Sequence, residues 1–128
     1  MAGIEGKCRE VLDKAEWVAI ATTGPAGPHL AGTWGGYIRA LGIKGDETIL
    51  VPAGGYMETE QNLKQDDRIE LLCGTRQVQG VNGPGKGCRI RGTGQLQTTG
   101  ELAEMARKKF PWARGVLVIK VDEALEQL

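Results

Sequence analysis

Residues 17–34 read WVAIATTGPAGPHLAGTW, and the fold turns on them. Trp17–Thr22 is apolar and β-branched, the composition of a strand. It stops at Gly24-Pro25-Ala26-Gly27-Pro28, where proline presets one turn dihedral and glycine supplies the conformations other residues avoid. His29–Trp34 then begins a second strand. The chain therefore doubles back through a hairpin, which joins antiparallel neighbours; a parallel pair would need a long crossover.

Upstream, Ile4, Cys8, Val11, Leu12 and Ala15 fall on one helical face, which predicts a first helix over about residues 3–15. Downstream, Gly36–Leu41 reads as a continuation of the second strand after a break at Gly35-Gly36. Gly45-Asp46 reads as a turn and Thr48–Val51 as the third strand. Gly54-Gly55 ends that strand, and Tyr56–Gln65 carries the helix formers Met57, Glu60, Gln61 and Lys64. Arg68–Cys73 reads as a strand with Ile69, Leu71 and Cys73 on one face. Gln79–Gly87 is turn-rich, and Asn82-Gly83 is its sharpest hairpin signal. Cys88–Thr98 alternates as a fifth strand, Glu101–Lys109 is helical, Phe110-Pro111-Trp112 is a break, and Gly115–Val121 is the last strand before a short tail.

About six strands with two or three helices, and no β-α alternation, predict a mainly β single domain over residues 1–128. The expected form is a small antiparallel barrel with peripheral helices. Trp17–Ala21 and Val116–Ile119 are apolar on both faces. Such strands need barrel interior on one side and a helix or second subunit on the other. Twenty of the 128 residues are glycine, scattered through strand-like segments, which suggests tight corners, bulges and close backbone approach to a ligand.

Sixteen basic residues balance sixteen acidic ones, so no general field draws in nucleic acid or an acidic membrane. The longest apolar runs fall far short of the roughly 20 residues of a membrane span. MAGIEGKCRE has no signal-peptide core, which leaves the cytoplasm by default. Cys8, Cys73 and Cys88 are an odd count without Cys-x-x-Cys spacing and read as reduced, small hydrophobes. His29 has no second ligand at metal spacing, which argues against zinc or haem. Serine is absent from the chain, and nothing in the sequence pairs a cysteine with His29 for nucleophilic catalysis. Gly83-Pro84-Gly85-Lys86-Gly87 lacks a Gly-Lys-Thr ending and leads into a strand, so it reads as a hairpin loop rather than a phosphate loop.

Gly54-Gly55 ahead of a short helix presents free backbone N–H groups and the positive end of the helix dipole, where an anion can rest. Thr59 adds a hydroxyl. A plain turn is the competing reading. Trp34 and Tyr37 lie among glycines, and Trp112 follows Pro111 at the break. Aromatics so placed form lids over planar ligands or anchor interfaces, with core filling as the equal alternative for each.

Several segments together resemble one family. They are Val18-Ala19-Ile20-Ala21-Thr22, Gly27-Pro28-His29-Leu30, Thr33-Trp34 with Tyr37, Val51-Pro52 then Gly54-Gly55, Thr59-Glu60 with Asn62, Asn82-Gly83-Pro84-Gly85, Ile90-Arg91-Gly92 and Trp112-Ala113-Arg114. Leu128 matches at the end of the chain. In that order they resemble the small FMN-binding proteins of anaerobic bacteria, within the pyridoxamine 5′-phosphate oxidase-like split-barrel superfamily.

The resemblance implies a six-stranded Greek-key split barrel that is a homodimer, with one FMN per subunit near the interface. It implies Thr33, Trp34 and Tyr37 beside the cofactor, and the backbone of Pro52, Gly54 and Gly55 along the polar edge of the isoalloxazine. Thr59 would reach the phosphate, and Trp112 and Leu128 would come from the other subunit. The family usually has a lysine before that threonine, and this chain has Glu58. A carboxylate about 6 Å from a phosphate dianion repels it by roughly 3–5 kcal/mol at an effective dielectric near 20. Either Glu58 turns outward while Lys64, Arg68, Arg76, Lys86 or Arg91 supplies positive charge, or FMN binding is weakened.

No catalytic proton donor stands out. The expected role is electron transfer or broad flavin-dependent reduction with an unknown redox partner. One rival is a pyridoxamine phosphate-type oxidase with a defined small substrate, which needs a second basic pocket. The other is a non-enzymatic oligonucleotide-binding barrel, disfavoured by neutral charge and a single Phe.

Overall fold

The hairpin of residues 17–34 forms as read. Strand β1 (Trp17–Gly24) pairs antiparallel with β2 (Gly27–Trp34), from Trp17 opposite Trp34 to Gly24 opposite Gly27, with Pro25 and Ala26 as the turn. The computed structural model describes residues 3–45 and 47–128. Met1, Ala2 and Asp46 lie outside the described residues, and with Asp46 half of the turn expected at Gly45-Asp46.

Helix α1 (Gly6–Lys14) precedes the hairpin and buries Cys8, Val11 and Leu12, the face its periodicity predicts. After β2 the sequence reading fails. Gly35–Leu41 is not a strand but a helix, α2. Its buried residues Gly35, Ile38 and Leu41 recur every third position. Two leading glycines, poor helix formers, masked that period. Helix α2 is tied back at its start, where the Gly35 N–H donates to Glu16 O at 2.8 Å.

Next come β3 (Thr48–Ala53), α3 (Met57–Gln65), β4 (Arg68–Gln79), β5 (Pro84–Gln97), α4 (Glu101–Lys109) and β6 (Gly115–Gln127). Among the described residues there are thus four helices where two or three were expected. Strands β4 and β6 also run six residues past their expected ends, because their outer halves are mostly polar and Val78, Ala124 and Leu125 are too sparse to mark a strand. The six strands form one curled, half-barrel sheet in the order β2-β1-β4-β5-β6-β3, every neighbour antiparallel.

Two-sided apolar strands are explained by two clusters. Ile49, Val51, Leu117 and Ile119 point into the barrel core with Val18, Ile20, Leu71 and the α1 residues. Leu50 and Val116 point the other way, against Leu41 of α2 and Ala103 and Ala106 of α4. Burying one such side chain contributes about 1.5–3 kcal/mol. On β1, among the described residues, Val18 and Ile20 of the inner face are buried, while Trp17 of the outer face stays half exposed.

The cysteine reading is corrected. Cys8 of α1 and Cys88 of β5 form a disulfide across 80 residues of sequence, and only Cys73 is a free thiol. Neither helix face nor strand face announces a partner so far away. Both cysteines are apolar core positions, 3% and 0% exposed, and the fold brings them together.

The bond staples the first helix to the barrel. Closing a loop of that length restrains the unfolded chain by on the order of 4 kcal/mol. Replacing both cysteines by alanine is therefore expected to lower the melting temperature by on the order of 10 °C in calorimetry. An unchanged melting temperature would contradict the restraint.

Candidate functional site

Strand β3 ends with Pro52 opposite Val116 and Ala53 opposite Gly115. The next two residues, Gly54-Gly55, leave the sheet together with the loop that enters β6. A Cβ on Gly54 would lie 3.0 Å from the Trp112 ring, a contact tight enough that the ring would have to shift to admit any other residue. At Gly55 a Cβ would meet nothing within 4 Å, and its φ is not in the left-handed range. The chain itself does not require glycine at 55; the space before it is open.

Tyr56 follows with φ 63°, a left-handed conformation rare outside glycine, and caps α3. Its phenol donates to Gly32 O at 2.6 Å, which ties the loop to β2. Burial raises the phenol above its ordinary value, and the nearby Tyr37 adds to the rise. The Thr33 hydroxyl lies near enough to favour the phenolate and offsets part of that rise, although the contact falls short of hydrogen-bonding geometry.

Two polar atoms here are unsatisfied. Thr59, in the first turn of α3, is 1% exposed, and its Oγ1 has no hydrogen-bond partner; Thr33 Oγ1 is likewise buried and unpaired. An orphaned buried hydroxyl costs about 1–3 kcal/mol. The first-turn N–H groups of α3 also lack intrahelical acceptors and carry the positive end of the helix dipole. The arrangement suits an anionic, hydrogen-bonding ligand.

Aromatic rings border the same loop. Tyr37, Phe110 and Trp112 pack at centroid separations of 5.0 to 5.5 Å. Trp112 thus meets Tyr37 and Gly54 of its own chain, so no second subunit is needed to bring those three together. Trp34 is half exposed and stands edge-to-face with Trp17 at 4.8 Å. Trp17 in turn lies over Gly32, where a Cβ would be 2.1 Å from its ring.

Leu128 is not part of this group. It sits exposed beside the β4–β5 hairpin, where the Val81 N–H donates to its carbonyl at 2.8 Å. There it borders an open groove of about 1170 Å³ whose lining includes Trp17, Ala19 and Leu72.

Glu58 takes the outward option. Its carboxylate lies 2.9 Å from His29 Nδ1, and its side chain is 68% exposed. One turn on, Asn62 Nδ2 donates to the buried Thr22 Oγ1 at 3.1 Å. Glu58 and Asn62 thereby fasten α3 to the β1–β2 hairpin. Of the cations offered in its place, three are engaged elsewhere. Arg68 holds Asp66 at 2.6 Å and lowers that carboxyl to about 2. Lys86 pairs with Glu126 and Arg91 with Glu123. Lys64 and Arg76 border separate clefts.

The cation on the loop is Arg114. Its Nε and Nη2 donate to Gly55 O at 3.1 and 2.8 Å, and Nη2 also reaches Glu60 Oε1 at 3.0 Å. The sequence pointed to it only as the end of a matched segment; Trp17, Tyr56 and Phe110 carried no signal of their own. Cys73 offers no nucleophile, since burial pushes its thiol up to about 11.

With this geometry in hand, the sequence matches the family model described as Pyridoxamine 5'-phosphate oxidase over residues 4–127. It is 43% identical over 125 residues to an "FMN-binding protein" of Nitratidesulfovibrio vulgaris, covering 98% of this chain and 99% of that one. Among solved structures, HupZ of Group A Streptococcus superposes with a TM-score of 0.73 at 22% identity, over 92% of this chain and 91% of the other. An FMN-binding protein from Syntrophomonas wolfei gives a TM-score of 0.62 at 20% identity, over 94% and 88%. At those identities the two structures speak for the fold alone.

Thr59→Val removes the unpaired hydroxyl and nearly keeps its shape. In urea denaturation without ligand the variant is expected to equal the parent or exceed it by up to about 1 kcal/mol. A clear loss of stability would mean that the hydroxyl is satisfied within the chain.

Proposed function

This chain belongs to the pyridoxamine 5′-phosphate oxidase family, and we propose that residues 1–128 act as one FMN-binding domain that pairs with a second copy of itself. The observation that carries the reading is the Thr59 hydroxyl, buried without a partner in the first turn of α3. A phosphate there takes a hydrogen bond from that hydroxyl and from the free N–H groups of the turn. Open space before Gly55 lets the backbone of Pro52, Gly54 and Gly55 run along the polar edge of a flavin ring. Thr33, Trp34, Tyr37 and Trp112 then border the ring and exclude water from it.

FMN, when bound, supplies one- and two-electron redox chemistry. The chain's part is to hold the cofactor and set its exposure. Two carboxylates near the loop are already engaged, Glu58 with His29 and Glu60 with Arg114. That favours electron transfer or broad reduction over a dedicated oxidase with its own proton donor. A cytoplasmic location belongs to this reading, and the Cys8–Cys88 bond counts against it, since structural disulfides are rare in that compartment.

Pairing of two copies is supported by the uncovered outer face of β1, β2 and β4. The register puts Trp34 and Leu30 of β2, Trp17, Ala19 and Ala21 of β1, and Leu72 of β4 side by side. Of these, Trp17, Trp34, Leu30 and Leu72 are from 48% to 72% exposed, an apolar area that a two-fold contact would bury. Leu128 extends from the same face, where it would reach the other copy.

Purified protein is expected to be yellow, with FMN bound more than tenfold tighter than riboflavin in fluorescence titration; equal affinities would remove the phosphate site. Gly55→Ala should weaken FMN binding while leaving the ligand-free melting temperature unchanged. A charge on the open face, Leu72→Glu, should convert a two-chain mass in analytical ultracentrifugation to a one-chain mass. A parent protein that sediments as a single chain would contradict the pairing.

A further inference from the structure

The geometry points to Arg114 as the positioning residue of this site, the group that aims the first turn of α3 at the flavin phosphate; the inference rests on the FMN reading. Three contacts carry it. The Arg114 N–H donates to Ala53 O at 2.8 Å, which sets the residue beside the end of β3. Its guanidinium then grips one carbonyl, Gly55 O, through Nε and Nη2. Nη2 also bonds Glu60 Oε1, on α3 itself. The Arg114 backbone therefore holds the strand end, and its side chain ties the glycine loop to the helix.

What this does follows from peptide planarity. The carbonyl of Gly55 and the N–H of Tyr56 belong to one trans peptide unit and point in opposite directions. Holding the carbonyl toward Arg114 turns the Tyr56 N–H away from it. The same grip locates Tyr56, whose left-handed backbone starts the helix and whose own carbonyl accepts from Glu60 N at 2.9 Å. Gly55 lacks a side chain that could fix this peptide by packing, and nothing lies in front of it. Tyr56 is anchored at its far end on Gly32 O, and Arg114 supplies the anchor at the near end.

Arg114 does not act as the counter-ion of the phosphate. Glu60, 16% exposed in its side chain, sits against the guanidinium and offsets its charge. The contribution is geometric: the fork of donors fixes a peptide orientation. Lysine, a single point charge, cannot hold the carbonyl and Glu60 in that fixed fork.

The test compares the ligand-free parent with Arg114→Ala and Arg114→Lys, each titrated with FMN and with riboflavin by flavin fluorescence. Loss of the aim falls on the phosphate, so the ratio of FMN to riboflavin affinity should drop at least tenfold in Arg114→Ala. Arg114→Lys should show a drop in the same direction while retaining the parent's melting temperature, which keeps the test decisive should the alanine variant fold poorly. A merely structural role would lower both affinities by the same factor and leave the ratio unchanged, and that result overturns the inference, as does an unchanged affinity for both ligands. A parent chain that binds neither flavin is a different outcome: it overturns the proposed function, and the inference with it.

Discussion

The pairing of β3 with β6 is the constraint on which the rest depends. Their ladder runs from Thr48 opposite Lys120 to Ala53 opposite Gly115. Because the strands are antiparallel, the loop leaving β3 and the loop entering β6 emerge side by side. That single register sets Gly54 under Trp112 and Gly55 within reach of Arg114. The ladder is held from both faces, by the barrel core on one side and by α2 and α4 on the other. A site built on strand ends so enclosed has little freedom to drift.

Helix α3 completes the site from the opposite direction. Arg114 fixes its start through Gly55 and Glu60, and Asn62 and Glu58 fasten its body to the β1–β2 hairpin. Glu58, the acidic residue next to Thr59, is thus turned to His29. Its charge is accommodated by a neighbour rather than by replacement with a distant cation. The outcome leaves Thr59 buried and unpaired between two secured ends.

What could be read from the sequence was whatever leaves a periodic or turn signature. The strand at Trp17–Thr22, the helix at Glu101–Lys109 and the hairpin at Asn82-Gly83 follow from apolar pattern and turn chemistry. The double-sided strand at Val116–Ile119 correctly demanded a covering layer, now seen to be α4. Helix α2 was hidden by Gly35 and Gly36, whose weak propensity is overridden by tertiary packing of Ile38 and Leu41. The Cys8–Cys88 bond was hidden because both positions read as ordinary core residues until the fold joins them. At the candidate site, type and spacing single out Gly54, Thr59 and Trp112, and the fold brings Gly54 against Trp112. Tyr56 and Arg114 were not, since a left-handed tyrosine and a guanidinium gripping a carbonyl have no pattern in one sequence.

In the proposed reading the first turn of α3, with the glycine loop before it, receives the phosphate of FMN. The most direct measurement is the amide nitrogen–proton correlation spectrum of the labelled chain, recorded with added FMN and again with riboflavin. The signals that separate the two ligands are expected to be the amides from Tyr56 to Thr59. Differences confined to the Lys86 hairpin, or to the cleft beside Arg68 and Arg91, with the α3 amides unmoved, would contradict it.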